Sequence, residues 1–316
     1  MTDPGHVVVL AGGLSYEREV SLRSGRRVMD ALRAMEVDVE IRDADASLLA
    51  ALTHDPPDVV LPVLHGASGE DGAIRDVLEL LDLRYVGARP DACRVAWDKP
   101  TAKAVVRRAG LRTPRSVALP KELFHDLGAT AVLDRVVAQL GLPLFVKPAR
   151  GGSALGTSVV REAAALPTAM MGCFAYGDTA LIEQYVSGTE LAISVIERDG
   201  VPIALPAVEV IPGESGIYDY TARYDAGDTE FIAPARLPAK AAEQAADMAF
   251  TAHRALGLRD ISRTDLIVDD EGQAHFLEVN VAPGMTETSL FPRALSAAHL
   301  DLGSALRDLI ARRRFT

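Results

Sequence analysis

The apolar positions of this chain fall into two rhythms that alternate from the start. Residues 7–10, Val-Val-Val-Leu, form an unbroken apolar run that stops at Gly12 and Gly13, as a strand buried on both faces should. Val20, Val28, Leu32 and Met35 then recur at helical spacing. Ser15 is the expected N-cap of that helix, and Glu17 and Glu19 suit its positive first turn. Strands are predicted at 37–41 and 58–64, a helix at 74–81 and a short strand at 84–86. Such alternation implies a doubly wound parallel sheet with its ligand site at the carboxyl ends of the strands. This first α/β unit covers residues 1–89.

Beyond Pro90 the order changes. A helix is predicted at 99–109, ending at Gly110, and a second at 131–140. The strand 143–147 leads into the loop 148–156, and a strand at 157–160 follows. The next helix is weakly marked. The apolar run 181–186 reads as a strand, with Ser187-Gly188 as a hinge, so a central unit covers 90–186. The last unit, 187–316, opens with strands at 190–197 and 203–210. A loop rich in Gly, Tyr and Asp occupies 212–228, and the helix 238–256 has an alanine-rich apolar face with a proline at its start. A hairpin over 263–280 and a terminal helix complete the chain. No internal repeat stands out.

Length agrees with this division, since 316 residues make two or three domains at ~100–200 each. Acidic residues outnumber basic ones 44 to 33, giving a net charge of −11. That field repels nucleic acid and anionic membrane, so neither is expected as a partner, and any bound phosphate must be held locally. Cys93 and Cys173 lie far apart, which excludes a disulfide framework and a structural zinc site and fits a reducing cytosol. The first residues lack a basic n-region and an apolar h-region. The longest uncharged run, 163–177, is too short to span a bilayer and contains Pro167. The expected location is cytoplasmic.

The hairpin carries the clearest chemistry. With its tip at Glu271-Gly272, Asp265 faces Glu278 and Arg263 faces Asn280, all on one face. Like charges opposite one another need compensation, and a hard divalent cation on Asp265, Glu278 and Asn280 would supply it. A solvated acidic face is the bland alternative. The apolar neighbours Leu266, Leu277 and Val279 argue for a packed sheet instead. The loop Gly151-Gly152-Ser153-Ala154-Leu155-Gly156 suits close approach of phosphate to backbone N–H groups, although it is neither a Walker A loop nor a dinucleotide fingerprint. Lys147 stands in an apolar strand, where a lysine needs an anionic partner. Lys99 is a second phosphate candidate. Glu183 and Glu190, either side of the hinge, suit adenine and ribose. The turn 12–22 and the loop from His65 to Gly72, with its three glycines and two acids, are shaped loops at strand ends.

Together these residues resemble the D-alanine–D-alanine ligases of the ATP-grasp superfamily. The matching stretches are AGGLSYEREVSL, LHGASGEDG, WDK at 97–99, FVKPARGGSALGTS, LIEQYVSGTE, YDYTARY, SRTD and FLEVNVAPGMTETSL, in family order over nearly the whole chain. The resemblance implies an α/β (α+β) three-domain ATP-grasp fold, in which a substrate domain precedes central and C-terminal antiparallel sheets that grip ATP. It implies two Mg²⁺ ions, with Mn²⁺ as a substitute, on Asp265, Glu278 and Asn280, Glu278 bridging. Lys99, Lys147, Arg223 and the Ser153 loop would contact ATP phosphates. Glu183 and Glu190 would bind adenine and ribose, with backbone groups of Gln184 and Val186 at the adenine edge. Glu17 would hold the first D-alanine's ammonium and His65 would lie near its carboxylate. Arg263 and the Gly284 N–H would form an oxyanion hole. Ser289 and Leu290 would meet the second carboxylate, and Tyr224 would bond Glu17 and Ser153.

The activity so implied is ligation of two D-alanines through an acyl phosphate, for peptidoglycan precursor synthesis, in a homodimer. The alternatives are a specialised ligase joining another amino acid and a nucleotide-binding module without catalysis. The chain departs from the family pattern at Arg223, Gly151, Ala154 and Glu287-Thr288. Retention of Asp265, Glu278, Asn280, Lys147 and Arg263 favours activity. A tyrosine at 224, where D-lactate-using relatives place histidine, predicts an amine as nucleophile.

Overall fold

The computed structural model describes residues 3–152, 154–213 and 229–315. Strands β1 (Val7–Ala11), β2 (Val39–Asp43) and β3 (Val59–Pro62) form a parallel sheet with β1 in the centre. β4 (Ser116–Pro120), β5 (Leu144–Pro148), β6 (Ser158–Val160) and β7 (Thr179–Gln184) make a second, antiparallel sheet in the order β4-β7-β5-β6. The third sheet holds β8 (Thr189–Arg198), β9 (Val201–Ala204), β10 (Val208–Ile211), β11 (Glu230–Ile232), β12 (Ile261–Val268) and β13 (Ala274–Asn280). Its path is β11-β10-β8-β12-β13, with β9 also paired to β8. The fold is the mixed α/β one expected.

β1 is fully buried, because β2 and β3 pair on either side and helices cover its faces. One apolar cluster runs from this sheet into the third, joining Val7, Val9 and Val28 to Ile196, Phe291 and Leu306. The alanine-rich helix Ala239–Ala255 buries Ala241, Ala245, Ala249 and Ala252, and small side chains bring it close to β8 and β12.

Three local expectations change. The first long helix is Arg18–Arg33 with Glu17, not Ser15, as N-cap; the Ser15 hydroxyl instead accepts the Glu17 N–H at 3.2 Å within the preceding turn. The start so moved puts Glu17 at the helix mouth. The strand expected at 84–86 is reduced to a single bridge between Tyr85 and Val60. The strand expected at 203–210 is two, β9 and β10, parted around Pro206, which has no N–H to give a ladder. The weakly marked helix forms at Leu166–Phe174.

The hairpin holds a subtler difference. Arg263 faces Asn280 and Asp265 faces Glu278 as expected, but Leu266 faces Phe276 and Val268 faces Ala274. The turn is therefore one residue out of the assumed register, and a bulge beside Asp265 restores the pairing where it matters. At the hinge, Gly188 has φ +153°, and a Cβ there would lie 2.2 Å from the Val268 carbonyl oxygen. Glycine is required where β7 passes into β8.

Candidate active site

Three buried lysines meet where the second and third sheets face each other. Lys99 opens the helix Lys99–Arg108, whose N-terminus is capped by the Asp98 carboxylate accepting the Thr101 N–H at 3.0 Å. Its Nζ donates to the Gly151 carbonyl at 2.7 Å. Lys103 lies one turn further along the same helix, and Lys147 stands on β5. Lys103 and Lys147 flank Glu183 of β7 at 2.7 and 2.9 Å. Lys147 and Lys99 each lie 3.7 Å from Glu278 Oε2. The result is an alternating chain of charge, Lys103–Glu183–Lys147–Glu278–Lys99.

Burial acts against each of these charges, and the neighbours decide the outcome. Glu183 and Glu278 overcome burial at Lys147 and raise its pKa. Lys103 and Lys147 overcome it at Glu183, which stays below the ordinary carboxylate range. At Lys103 burial prevails over the pull of Glu183, and with repulsion from Lys147 it pushes the pKa down to about 8.

All of these groups but Lys103 border a cavity of about 410 Å³ between the sheets. Lys99, Lys147, Glu183, Gln184, Val186, Glu190, Asp265 and Glu278, all singled out in the sequence, line it together. The Gln184 side chain turns away to donate to the Leu140 carbonyl at 2.7 Å, so its backbone is what faces the cavity. Leu277 and Glu278, successive on β13, both face inward, which regular alternation forbids and the bulge permits.

A second cavity, of about 850 Å³, adjoins at Gly151, Gly152 and Leu155 and reaches Glu17, Ser15 and Gly66. Glu17 is buried, and a Cβ on Gly152 would stand 3.3 Å from its carboxylate. Gly66 has φ +70°, and a Cβ there would come within 2.6 Å of Glu17 Oε2. The Gly66 N–H donates to Glu70 at 2.9 Å. Burial first, then the Glu17 charge, raise the Glu70 pKa to about 8. His65 is buried and held on both ring nitrogens, Nδ1 at 3.1 Å from the Ala282 carbonyl and Nε2 at 3.3 Å from Ser24 Oγ. Burial lowers its pKa, which favours the neutral ring. Ser24 Oγ also accepts the Met285 N–H at 3.2 Å, and Arg27 donates to the Met285 carbonyl at 3.1 Å. His65, Ser24 and Arg27 thus grip the loop that contains Gly284.

The remaining expected residues fall nearby. Arg263 holds both oxygens of Asp265, at 2.7 and 2.8 Å. Asn280 Oδ1 accepts the Ala282 N–H at 2.7 Å. Ser289 bonds Thr286 through both its hydroxyl and main chain, and a Cβ on Gly284 would meet the Ser289 hydroxyl at 2.7 Å. The Leu290 side chain is core, so only its N–H, at the start of helix Leu290–Ala297, is placed for a carboxylate. Ser153, Arg223 and Tyr224, with the rest of 214–228, lie outside the described residues. Asp265, Glu278 and Asn280 form an oxygen-only donor set on paired strands, which fits a hard divalent cation. No cluster of three or more His, Cys, Asp or Glu exists among the described residues.

Sequence reading missed Lys103, Glu70, Leu277 and Ser24. Lys103 had a legible signal, four residues after Lys99 on one helix face. Glu70 lay in a quoted motif without a role. Leu277 had none, because alternation assigns it to the opposite face from Glu278.

Two antiparallel sheets closed on a lysine-lined cavity, beside a parallel α/β unit, place the protein in the class of ATP-grasp folds. The family model described as D-ala D-ala ligase C-terminus matches residues 105–311, and the one described as D-ala D-ala ligase N-terminus matches 40–88. A D-alanine–D-alanine ligase of Pelotomaculum thermopropionicum is 36% identical over 96% of this chain and 95% of its own. One of Gloeobacter violaceus is 38% identical over 97% and 98%. Among solved structures, the VanG D-Ala:D-Ser ligase of Enterococcus faecalis superposes with a TM-score of 0.83 at 27% identity, over 99% of this chain and 100% of that one. The Bacillus anthracis D-alanine–D-alanine ligase complexed with ATP gives 0.79 at 26%, over 98% and 96%. The chain belongs to the D-alanine–D-alanine ligase family.

Proposed function

We propose that the protein joins two D-alanines to D-alanyl-D-alanine at the expense of ATP, in the cytoplasm, for peptidoglycan precursor synthesis. The observation that carries this reading is the pairing of sites. A cavity lined by Lys99, Lys147, Asp265 and Glu278 opens at Gly151 and Gly152 onto the buried carboxylate of Glu17. Nucleotide and amino acid then meet end to end.

A carboxylate is a poor electrophile, so its oxygen must first be converted into a leaving group. The first D-alanine's carboxylate oxygen attacks the γ-phosphorus, the bond to ADP breaks, and an acyl phosphate forms. The second D-alanine's amine attacks the acyl carbon, phosphate leaves with the bonding pair, and the nitrogen loses a proton. Lys99 and Lys147 neutralise phosphate charge and trade Glu278 and Glu183 for phosphate oxygens as the nucleotide binds. Glu17 holds the first ammonium, and Arg263 and the Gly284 N–H receive the oxyanion. Asp265, Glu278 and Asn280 would hold Mg²⁺, which when bound shields charge on the transferring phosphoryl group. His65, with both nitrogens engaged, fixes the Gly284 loop relative to the amino acid. We also propose a homodimer.

The test is phosphate release with product analysis. D-alanine with ATP and Mg²⁺ should release phosphate and yield D-alanyl-D-alanine, and with D-alanine and D-lactate both present the dipeptide should dominate at neutral pH. Dominant D-alanyl-D-lactate, or no phosphate release, would overturn the reading.

A further inference from the structure

The nucleotide reading leaves one buried charge without a task. Lys103 is 1% exposed and lies behind the cavity wall, not in its lining. Its Nζ donates to Thr113 Oγ1 at 2.7 Å and sits 2.7 Å from Glu183 Oε2. A lysine this deep is costly to desolvate and persists only with a partner. Glu183 already has Lys147 at 2.9 Å on Oε1, so balancing its charge does not by itself require a second lysine.

Two observations explain the second one. Lys147 is shared, since it also leans toward Glu278 at 3.7 Å and so toward the phosphate end. Lys103 holds the buried Glu183 Oε2 at 2.7 Å, whereas Oε1 is the oxygen that Lys147 leaves when it turns away. Lys103 then still balances the carboxylate while Oε1 stands open to a donor. We propose that Lys103 is a positioning residue for the nucleotide base: it keeps Glu183 ionised when Lys147 turns from Oε1 to phosphate, so that Glu183 selects a purine presenting an amino donor. Without Lys103, a buried Glu183 left by Lys147 takes up a proton. A protonated carboxyl offers a donor as well as an acceptor, so it also accepts a purine that presents a carbonyl. The inference rests on the reading of this cavity as the ATP site.

Lys103→Met keeps the side-chain volume and removes the charge. The expected result is a KM for ATP raised about tenfold or more, the size of a lost hydrogen bond to a charged acceptor, with kcat at saturating ATP changing far less. The ratio of kcat/KM for ATP over GTP should fall with it. The groups facing Lys103 are Glu183 from β7, Lys147 from β5 and the Thr113 hydroxyl, with Glu278 of β13 further off. With its pKa near 8, the wild-type KM for ATP should climb above that pH, and the variant's should not follow. Thr113→Val, which removes only the anchor of Lys103, should give a smaller change of the same kind and serves if Lys103→Met does not fold. An unchanged KM and ATP:GTP ratio would overturn the proposal. So would a loss of kcat and thermal stability with the ratio intact, the mark of a purely structural role. A wild-type protein that turns over no ATP with D-alanine would remove the nucleotide reading itself, and this inference with it.

Discussion

At the residue scale, Glu70 is a carboxylate that the fold keeps protonated. It is buried beside Glu17, which lines the cavity proposed for the amino acid. Burial and that neighbour raise the Glu70 pKa from 4.5 to about 8. The native protein therefore holds a proton that the unfolded chain has lost between those values. The stability this contributes is present below the unfolded pKa and disappears as pH rises through the folded one. The slope reaches up to ~1.4 kcal/mol per pH unit for a fully shifted group. Glu70→Gln keeps an acceptor for the Gly66 N–H and cannot ionise. Its urea midpoint should match wild type near pH 5 and exceed it increasingly from pH 6 to 9. Parallel midpoints across that range would mean that Glu70 is ionised in the native protein.

At the element scale, the bulge on β13 decides what the hairpin can bind. It turns Leu277 and Glu278 to the same side, so an apolar wall and a carboxylate line the cavity proposed for ATP together. Leu277→Ala should raise the KM for ATP by roughly tenfold, the worth of two or three lost methylenes against a base. Steady-state kinetics should show kcat little altered, since Glu278 keeps its place opposite Asp265. An unchanged KM would mean that the base lies elsewhere. The same hairpin shows what was legible in the sequence and what was not. Alternation and charge identified Arg263, Asp265, Glu278 and Asn280 as one face, because period-2 patterning survives in a linear reading. The bulge left no mark in composition, so the turn register was misplaced by one residue and Leu277 was assigned to the core. Lys147 was legible because a lysine in an apolar strand demands a partner; its partner Glu183 was read as a group for adenine alone. The grip of Ser24 on the Met285 N–H joins segments far apart in the chain, which no local pattern records.

At the scale of the whole molecule, the site works only if the first sheet stays seated against the third, and Asp260 is the knot that fastens them. It is fully buried, at φ +63°, a conformation that Asp tolerates better than most residues. It accepts the Gly87 N–H at 2.8 Å from the chain leaving the first sheet, and it receives Arg312 at 2.7 Å and Arg313 at 2.8 Å from the last helix. Arg259 donates to the Gly87 carbonyl at 2.6 Å and lies over the Tyr85 ring at 4.8 Å. Glu197, at the end of β8, adds a second carboxylate 2.7 Å from Arg312. Three and five residues along the chain from this knot, β12 presents Arg263 and Asp265. Asp260→Ala removes the carboxylate and leaves Arg312 and Arg313 with Glu197 between them. The expected loss is about 3–5 kcal/mol of stability, as for breaking a buried ion pair from one side. Asp260→Asn, which keeps an acceptor for Gly87 and tolerates the same backbone angle, should lose less. The kinetic consequence separates the two cavities. The cavity proposed for ATP lies between the second and third sheets and does not include the first, so KM for ATP should hold at a temperature where the variant is folded. Glu17 and His65 ride on the first sheet and must meet Gly152 and Ala282 across the joint. KM for the first D-alanine should therefore rise while that for ATP does not. Equal rises in both would mean that the knot supports β12 itself rather than the joint between the sheets.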